Sequence, residues 1–203
     1  MDPQTTPPEG GPDPEEDWSA RTRLAWVGTA LVALVMAAIT GAGLYLGLFA
    51  HAWWTSAILL AVLLVLTWID LQRFMLLDVL TLPLIVFGIA LNLHSTGALL
   101  NAALGAVIGY GLVWGVNRVW LARHKRHGIG MGDAKLLAAG GALNGALTLP
   151  ITLLVSSGSA LVAILVLSIV TRSADMKSPV PFGPFISIGI WAVWAIWSQI
   201  YAI

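Results

Sequence analysis

The sequence predicts an all-α polytopic membrane protein, a bundle of about seven transmembrane helices within a range of six to eight. Three observations predict it. The 203 residues are 58% hydrophobic and only 10% charged, against about 25% charge in an average soluble domain, and the mean hydropathy is +0.87. The apolar residues gather in runs close to the roughly 20 residues that a membrane-spanning helix needs. The basic residues fall on alternate connections between those runs. This composition excludes a disordered chain, a basic nucleic-acid-binding domain and an ordinary soluble enzyme. Formal net charge is +0, so bulk charge indicates no partner, and no nucleic acid is expected as one. The absence of cysteine removes disulfides, thiolate catalysis and cysteine-ligated zinc.

Taken in chain order, residues 1–22 read as a disordered, acidic, Pro-rich cytoplasmic tail, MDPQTTPPEGGPDPEEDW and its continuation. It is acidic rather than basic ahead of the first apolar run, which excludes a signal peptide. Residues 23–203 form the transmembrane domain. The apolar runs cover 24–50, 53–69, 79–93, 98–121, 134–149, 151–170 and 185–203. The third and fifth are short, and the fifth is rich in Gly and Ala, which sets the range of six to eight.

Seven alternating helices starting from an inside N-terminus put all ten Lys and Arg on one side. Arg21 and Arg23 precede the first run, and Arg73 follows the second. Arg118, Arg123, Lys125, Arg126 and Lys135 surround the fourth-to-fifth connection, and Arg172 and Lys177 lie before the seventh run. The opposite connections, near His51, His94 and Asn144, carry none. The positive-inside rule makes the basic side cytoplasmic and the C-terminus external, in an inner (plasma) membrane. Trp18, Trp26, Trp53, Trp54 and Trp120 sit near run ends, where indole rings favour the interface.

Outside the tail only Asp70, Asp78, Asp133 and Asp175 are acidic. An ionised Asp in the bilayer centre costs at least about 2.5–3.5 kcal/mol, so such residues face protein or water. Asp70 ends the second run and Asp133 opens the fifth, which places both at cytoplasmic helix ends and at one depth. Two carboxyls at hydrogen-bonding separation share a proton and titrate as a unit. The ionised member can then serve as general base and the protonated one as general acid towards water and a peptide carbonyl. Gly128, Gly130 and Gly132 leave room for a substrate backbone beside Asp133. Plainer roles stand beside this one. Asp70 can cap its helix or pair with Arg73, and Asp133 can complement a helix N-terminus. Asp78 reads as an N-cap and Asp175 as solvated. His124 and His127 belong to the basic cluster, so no metal and no cofactor is expected, and Lys135 snorkels, balances local charge or tunes the pKa of the neighbouring acid.

These residues resemble the type IV prepilin peptidases, the GxGD class of intramembrane aspartic proteases. Three ordered blocks carry the resemblance: WIDLQRFMLLDVLTLPL at 68–84, GIGMGDAKLLAAGGALNG at 128–145 and PFGPFISIG at 181–189. It implies that Asp70 and Asp133 are the catalytic aspartates and that 23–203 is a transmembrane aspartic peptidase domain. It assigns Gly130, Gly132, Lys135, Pro181, Gly183 and Pro184 to the motifs around the site and the substrate's approach. In the family a Leu-Thr-x-Pro turn follows the first aspartate, and Leu77 stands where a Pro often precedes Asp78. The family's cysteine-containing N-terminal region has no counterpart here, so cleavage without methylation is expected.

The implied substrates are prepilin-like proteins, each a short basic leader followed by an apolar helix, cut after a Gly at the cytoplasmic face. Partners are therefore these substrates and the lipid bilayer. Gly105, Gly109, Gly140 and Gly141 are expected to let the substrate helix pack closely against the lipid-facing bundle surface. The acidic tail, Glu15, Glu16 and Asp17, can attract the basic leader weakly or simply aid solubility. Two other classes remain open on the residues alone: an ion- or proton-coupled transporter, and a non-catalytic pilus assembly factor.

Overall fold

The computed structural model describes residues 14–45, 53–124, 130–171 and 181–197. These residues form seven α-helices and no strand: α1 (Pro14–Tyr45), α2 (Trp53–Arg73), α3 (Asp78–Leu91), α4 (Thr96–His124), α5 (Met131–Asn144), α6 (Leu149–Thr171) and α7 (Gly183–Trp197), with a 3₁₀ turn over Ala146–Thr148 before α6. The expected all-α membrane bundle is what the chain forms. Four segments are long and apolar enough to cross a bilayer, Trp26–Tyr45, Trp54–Arg73, Thr96–Arg123 and Ala146–Val166. The expected tail boundary at residue 22 falls inside α1, which begins at Pro14; residues 1–13 lie outside the described residues, as do His51, Gly128 and Asp175.

Two helices occupy the centre. α5 packs against α3, α4 and α7, while α7 also meets α1, α2 and α6. Composition explains the position of α5. Every residue from Leu136 to Asn144 is buried, and small ones dominate. A helix covered on all sides needs neighbours at close range, and glycine allows it. Gly105 of α4 lies directly on the Gly141 backbone, and a Cβ on Gly109 would stand 2.6 Å from the Leu137 carbonyl oxygen. A Cβ on Gly88 of α3 would meet the Leu143 nitrogen at 2.8 Å, and one on Gly140 would meet Ile190 of α7 at 2.7 Å. The expectation that Gly105, Gly109, Gly140 and Gly141 receive a substrate helix is thereby corrected: these glycines are consumed by packing inside the bundle.

α7 is central for another reason. Its buried indoles are both satisfied: the Trp191 Nε1–H donates to the Met36 carbonyl (3.2 Å) and the Trp194 Nε1–H to Ser56 Oγ (2.9 Å). A buried N–H left without an acceptor costs about 1–3 kcal/mol, so these bonds set the depth of α7 against α1 and α2. Trp26, Trp54 and Trp120 are exposed, consistent with interfacial rings; the side chains of Trp18 and Trp53 lie outside the described residues.

α5 has 14 residues, about 21 Å at ~1.5 Å each, against a hydrocarbon core of about 30 Å. It is therefore too short to cross the core end to end by itself. The Leu-Thr-x-Pro segment is not the expected turn. It continues α3, with Pro83 inside the helix and the Thr81 hydroxyl donating to the Leu77 carbonyl.

Glycine packing makes a direct prediction. Gly105→Ala should destabilise the protein by about 1–3 kcal/mol through overpacking. Gly111→Ala on the same helix, where nothing lies within 4 Å, should stabilise it slightly, since Gly costs a helix about 0.5–1 kcal/mol relative to Ala. Thermal unfolding in detergent micelles checks both.

Candidate active site

Asp70 lies in the last turn of α2. The helix ends three residues later, at Arg73, because Phe74 turns left-handed, at φ +52°, with its N–H bonded to the Asp70 carbonyl at 2.8 Å. That conformation is unfavourable for a residue with a Cβ, and it swings Met75 and Leu76 across the end of the bundle towards α3. The Asp70 side chain is buried and is taken by neither Arg73 nor a cap on its own helix. Its Oδ2 accepts the backbone N–H of Gly183, the first residue of α7, at 3.0 Å. A Cβ on Gly183 would stand 2.6 Å from that oxygen, so this position requires glycine. The resemblance assigned Gly183 to the site; the local reading of the residues had not foreseen a bond to Asp70.

Asp133 lies in the first turn of α5, after Gly130 as the extended N-cap, and its N–H bonds to the Gly130 carbonyl at 3.2 Å. Asp133 thus stands where a carboxylate complements a helix N-terminus. Asp70 and Asp133 line a single cavity of about 760 Å³, and they are near enough to repel one another when both are charged. Asp78, Lys135, Pro181 and Phe182 also line it, together with Leu112 and Val116 of α4 and Leu153 and Ser157 of α6.

The other residues singled out by sequence divide by what they touch. A Cβ on Gly130 would meet nothing nearer than Asp133 Oδ2 at 3.7 Å, so this glycine leaves space beside the carboxyl. Gly132 lines the cavity as well, and a Cβ there would press on Leu76 at 2.8 Å, so this glycine also lets α5 dock against the α2–α3 connection. Pro181 lines the cavity, whereas Pro184 is buried without lining it. Asp78 is not an N-cap. The cap is Leu77, which makes no side-chain cap bond, and Asp78 is the first helical residue, with its carboxylate on Lys135. Sequence reading missed Ser157, whose only signal is a hydroxyl within an apolar run. Among the described residues, no group of three or more His, Asp or Glu is arranged to hold a metal.

A family model for the type IV leader peptidase family matches residues 57–170. The chain belongs to that family. It is 39% identical over 176 residues to the prepilin leader peptidase/N-methyltransferase of Aeromonas salmonicida (strain A449), covering 85% of this chain and 57% of that protein. It is 41% identical over 157 residues to the protein of the same name from Pectobacterium carotovorum subsp. carotovorum, covering 77% and 56%. The Pseudomonas aeruginosa protein of that name is 39% identical over 147 residues, covering 70% and 50%. The chain thus spans little more than half the length of these relatives. No solved structure matches it. The matched segment of the leader peptidase family includes Asp70 and Asp133 and stops short of Gly183.

The Gly183 bond predicts a graded response. Asp70→Asn keeps an oxygen acceptor and should unfold close to the parent. Asp70→Ala leaves a buried N–H unpaired and should cost about 1–3 kcal/mol. Unfolding midpoints in detergent order the variants.

Proposed function

We propose that the chain is an intramembrane aspartic endopeptidase that removes the short basic leader from type IV prepilin-like precursors at the cytoplasmic face of the membrane. One observation carries the reading: the carboxyls of Asp70 and Asp133, 63 positions apart in the sequence, line one cavity at one end of a membrane bundle. Membership of the leader peptidase family supports the substrate class. The relatives' shared name supports it too, and of the two activities in that name the proposal concerns the first.

In the mechanism, water sits between the two carboxyls, which hold one proton between them. The ionised member takes a proton from the water as its oxygen bonds to the scissile carbonyl carbon. The protonated member gives its proton to the carbonyl oxygen. The tetrahedral intermediate then collapses: the C–N bond breaks, the carboxyl that took the water's proton passes it to the leaving amine, and the other carboxylate takes a proton from a hydroxyl of the intermediate, so the pair again holds one proton. Asp70 suits the base role, because a backbone N–H bonds a charged oxygen more strongly than a neutral one.

The cytoplasmic assignment rests on charge. Arg73, Arg118, Arg123 and Lys135 sit at or near the cavity end of their helices, and basic residues are retained on the inside. The same rule puts the N-terminus inside and the C-terminus outside. The substrate's apolar helix stays in lipid beside α4 and α6, whose residues wall the cavity.

Asp70→Asn and Asp133→Asn should each insert normally and slow leader removal by at least about 100-fold, the usual scale of a lost general acid or base. Co-expression with a prepilin-like precursor reads this out as an unshortened band. Full processing by either variant overturns the dyad. A transporter or an assembly factor leaves the precursor uncut even with both aspartates present.

A further inference from the structure

Lys135 is the only cation, among the described residues, that lines the cavity. It follows Asp133 by two positions on the same helix turn, and its long side chain gives its ammonium a wide choice of partners. It binds neither Asp70 nor Asp133. Its Nζ donates to Asp78 Oδ1 at 2.5 Å. Asp78 is well placed to take it. It opens α3, where a carboxylate is favoured by the helix N-terminus, and the α2–α3 connection carries it to the cavity. Lys135 is 26% exposed and Asp78 56%, whereas Asp70 is buried, so the pair belongs to the more open part of the lining.

The chemistry of a shared proton makes this placement consequential. An opposite charge within about 4–6 Å favours the ionised form of a carboxyl. An ammonium turned inward would stabilise both carboxylates in their charged forms and remove the general acid. We propose that Asp78 is a positioning residue that holds the Lys135 ammonium in the more open part of the cavity, off the Asp70–Asp133 pair, so that the pair keeps its proton. The inference rests on the peptidase reading above. The charged and titratable groups on the surrounding elements are few. Among the described side chains, α2 offers Asp70 and Arg73, α3 offers Asp78, and α4 offers Tyr110, Arg118 and Arg123. The described parts of α6 and α7 offer none. The three arginines lie outside the cavity lining. Among the described residues, Lys135 is therefore the cation whose position matters.

The experiment measures leader removal by the purified full chain in detergent micelles, across a pH series. Its substrate is a recombinant precursor with a basic leader ending in Gly ahead of an apolar helix. Asp78→Asn should keep activity on the acid side while its alkaline limb moves down by about one pH unit, because the freed ammonium expels the proton. Asp78→Glu, which retains the carboxylate, should keep the parent limb. The double variant Asp78→Asn, Lys135→Met should return the limb to the parent position, although the ion pair is absent from it. Unfolding midpoints confirm that the variants compared are folded. An Asp78→Asn limb that coincides with the parent, or a double variant that keeps the displaced limb, overturns the inference and leaves the pair as a staple between α3 and α5. A parent protein that leaves the precursor uncut overturns the peptidase reading together with it.

Discussion

The backbone N–H of Gly183 fixes where Asp70 points, and much of the bundle exists to bring that N–H into place. The donor is the first residue of α7. Its position along α2 depends on how deeply α7 is seated, and the seating is set by two indole hydrogen bonds, to the Met36 carbonyl and to Ser56 Oγ. The carboxyl therefore rests on contacts distributed over three helices rather than on a local turn. A backbone donor suits the task. It has no rotamers of its own and carries no charge that could pair off the acid, and glycine brings it within 3.0 Å.

Asp133 is located by different means. Its helix has little apolar bulk of its own and is held by glycine-to-backbone contacts from α3 and α4 and by Ile190 from α7. Close-packed contacts of this kind tolerate little sliding, because each carbonyl on one helix meets a missing side chain on the other. α5 and α7 also touch one another. The two acids are thus referenced to one pair of central helices, one through a hydrogen bond and the other through steric fit.

The parts of this arrangement legible in the sequence were those that leave a one-dimensional trace. Apolar run lengths and the alternation of basic residues marked the helices, including the short α5, whose omission would have put Arg172 and Lys177 on the wrong side. An acid at the end of one run and another at the start of a later one marked the site. Pairwise relations were not legible. Gly105 and Gly141 look like any small-residue surface until the partner helix is known, so an inward-facing stripe read as a lipid-facing one. Asp78 followed by an apolar run reads as a cap, and only the fold shows that Lys135, 57 positions later, claims its carboxylate. The turn expected around Pro83 was helix for a similar reason: its missing N–H is tolerated where tertiary packing holds the rest of α3.

The bond between Asp70 and Gly183 also has a bearing on biogenesis. Its two ends are 113 positions apart, so a chain emerging vectorially from the ribosome threads α2 into the bilayer long before α7 exists. Until then the acid has water or a translocation channel for company, and the nascent bundle lacks the element that seats it. The donor that seats this carboxyl is therefore among the last parts of the described chain to be made.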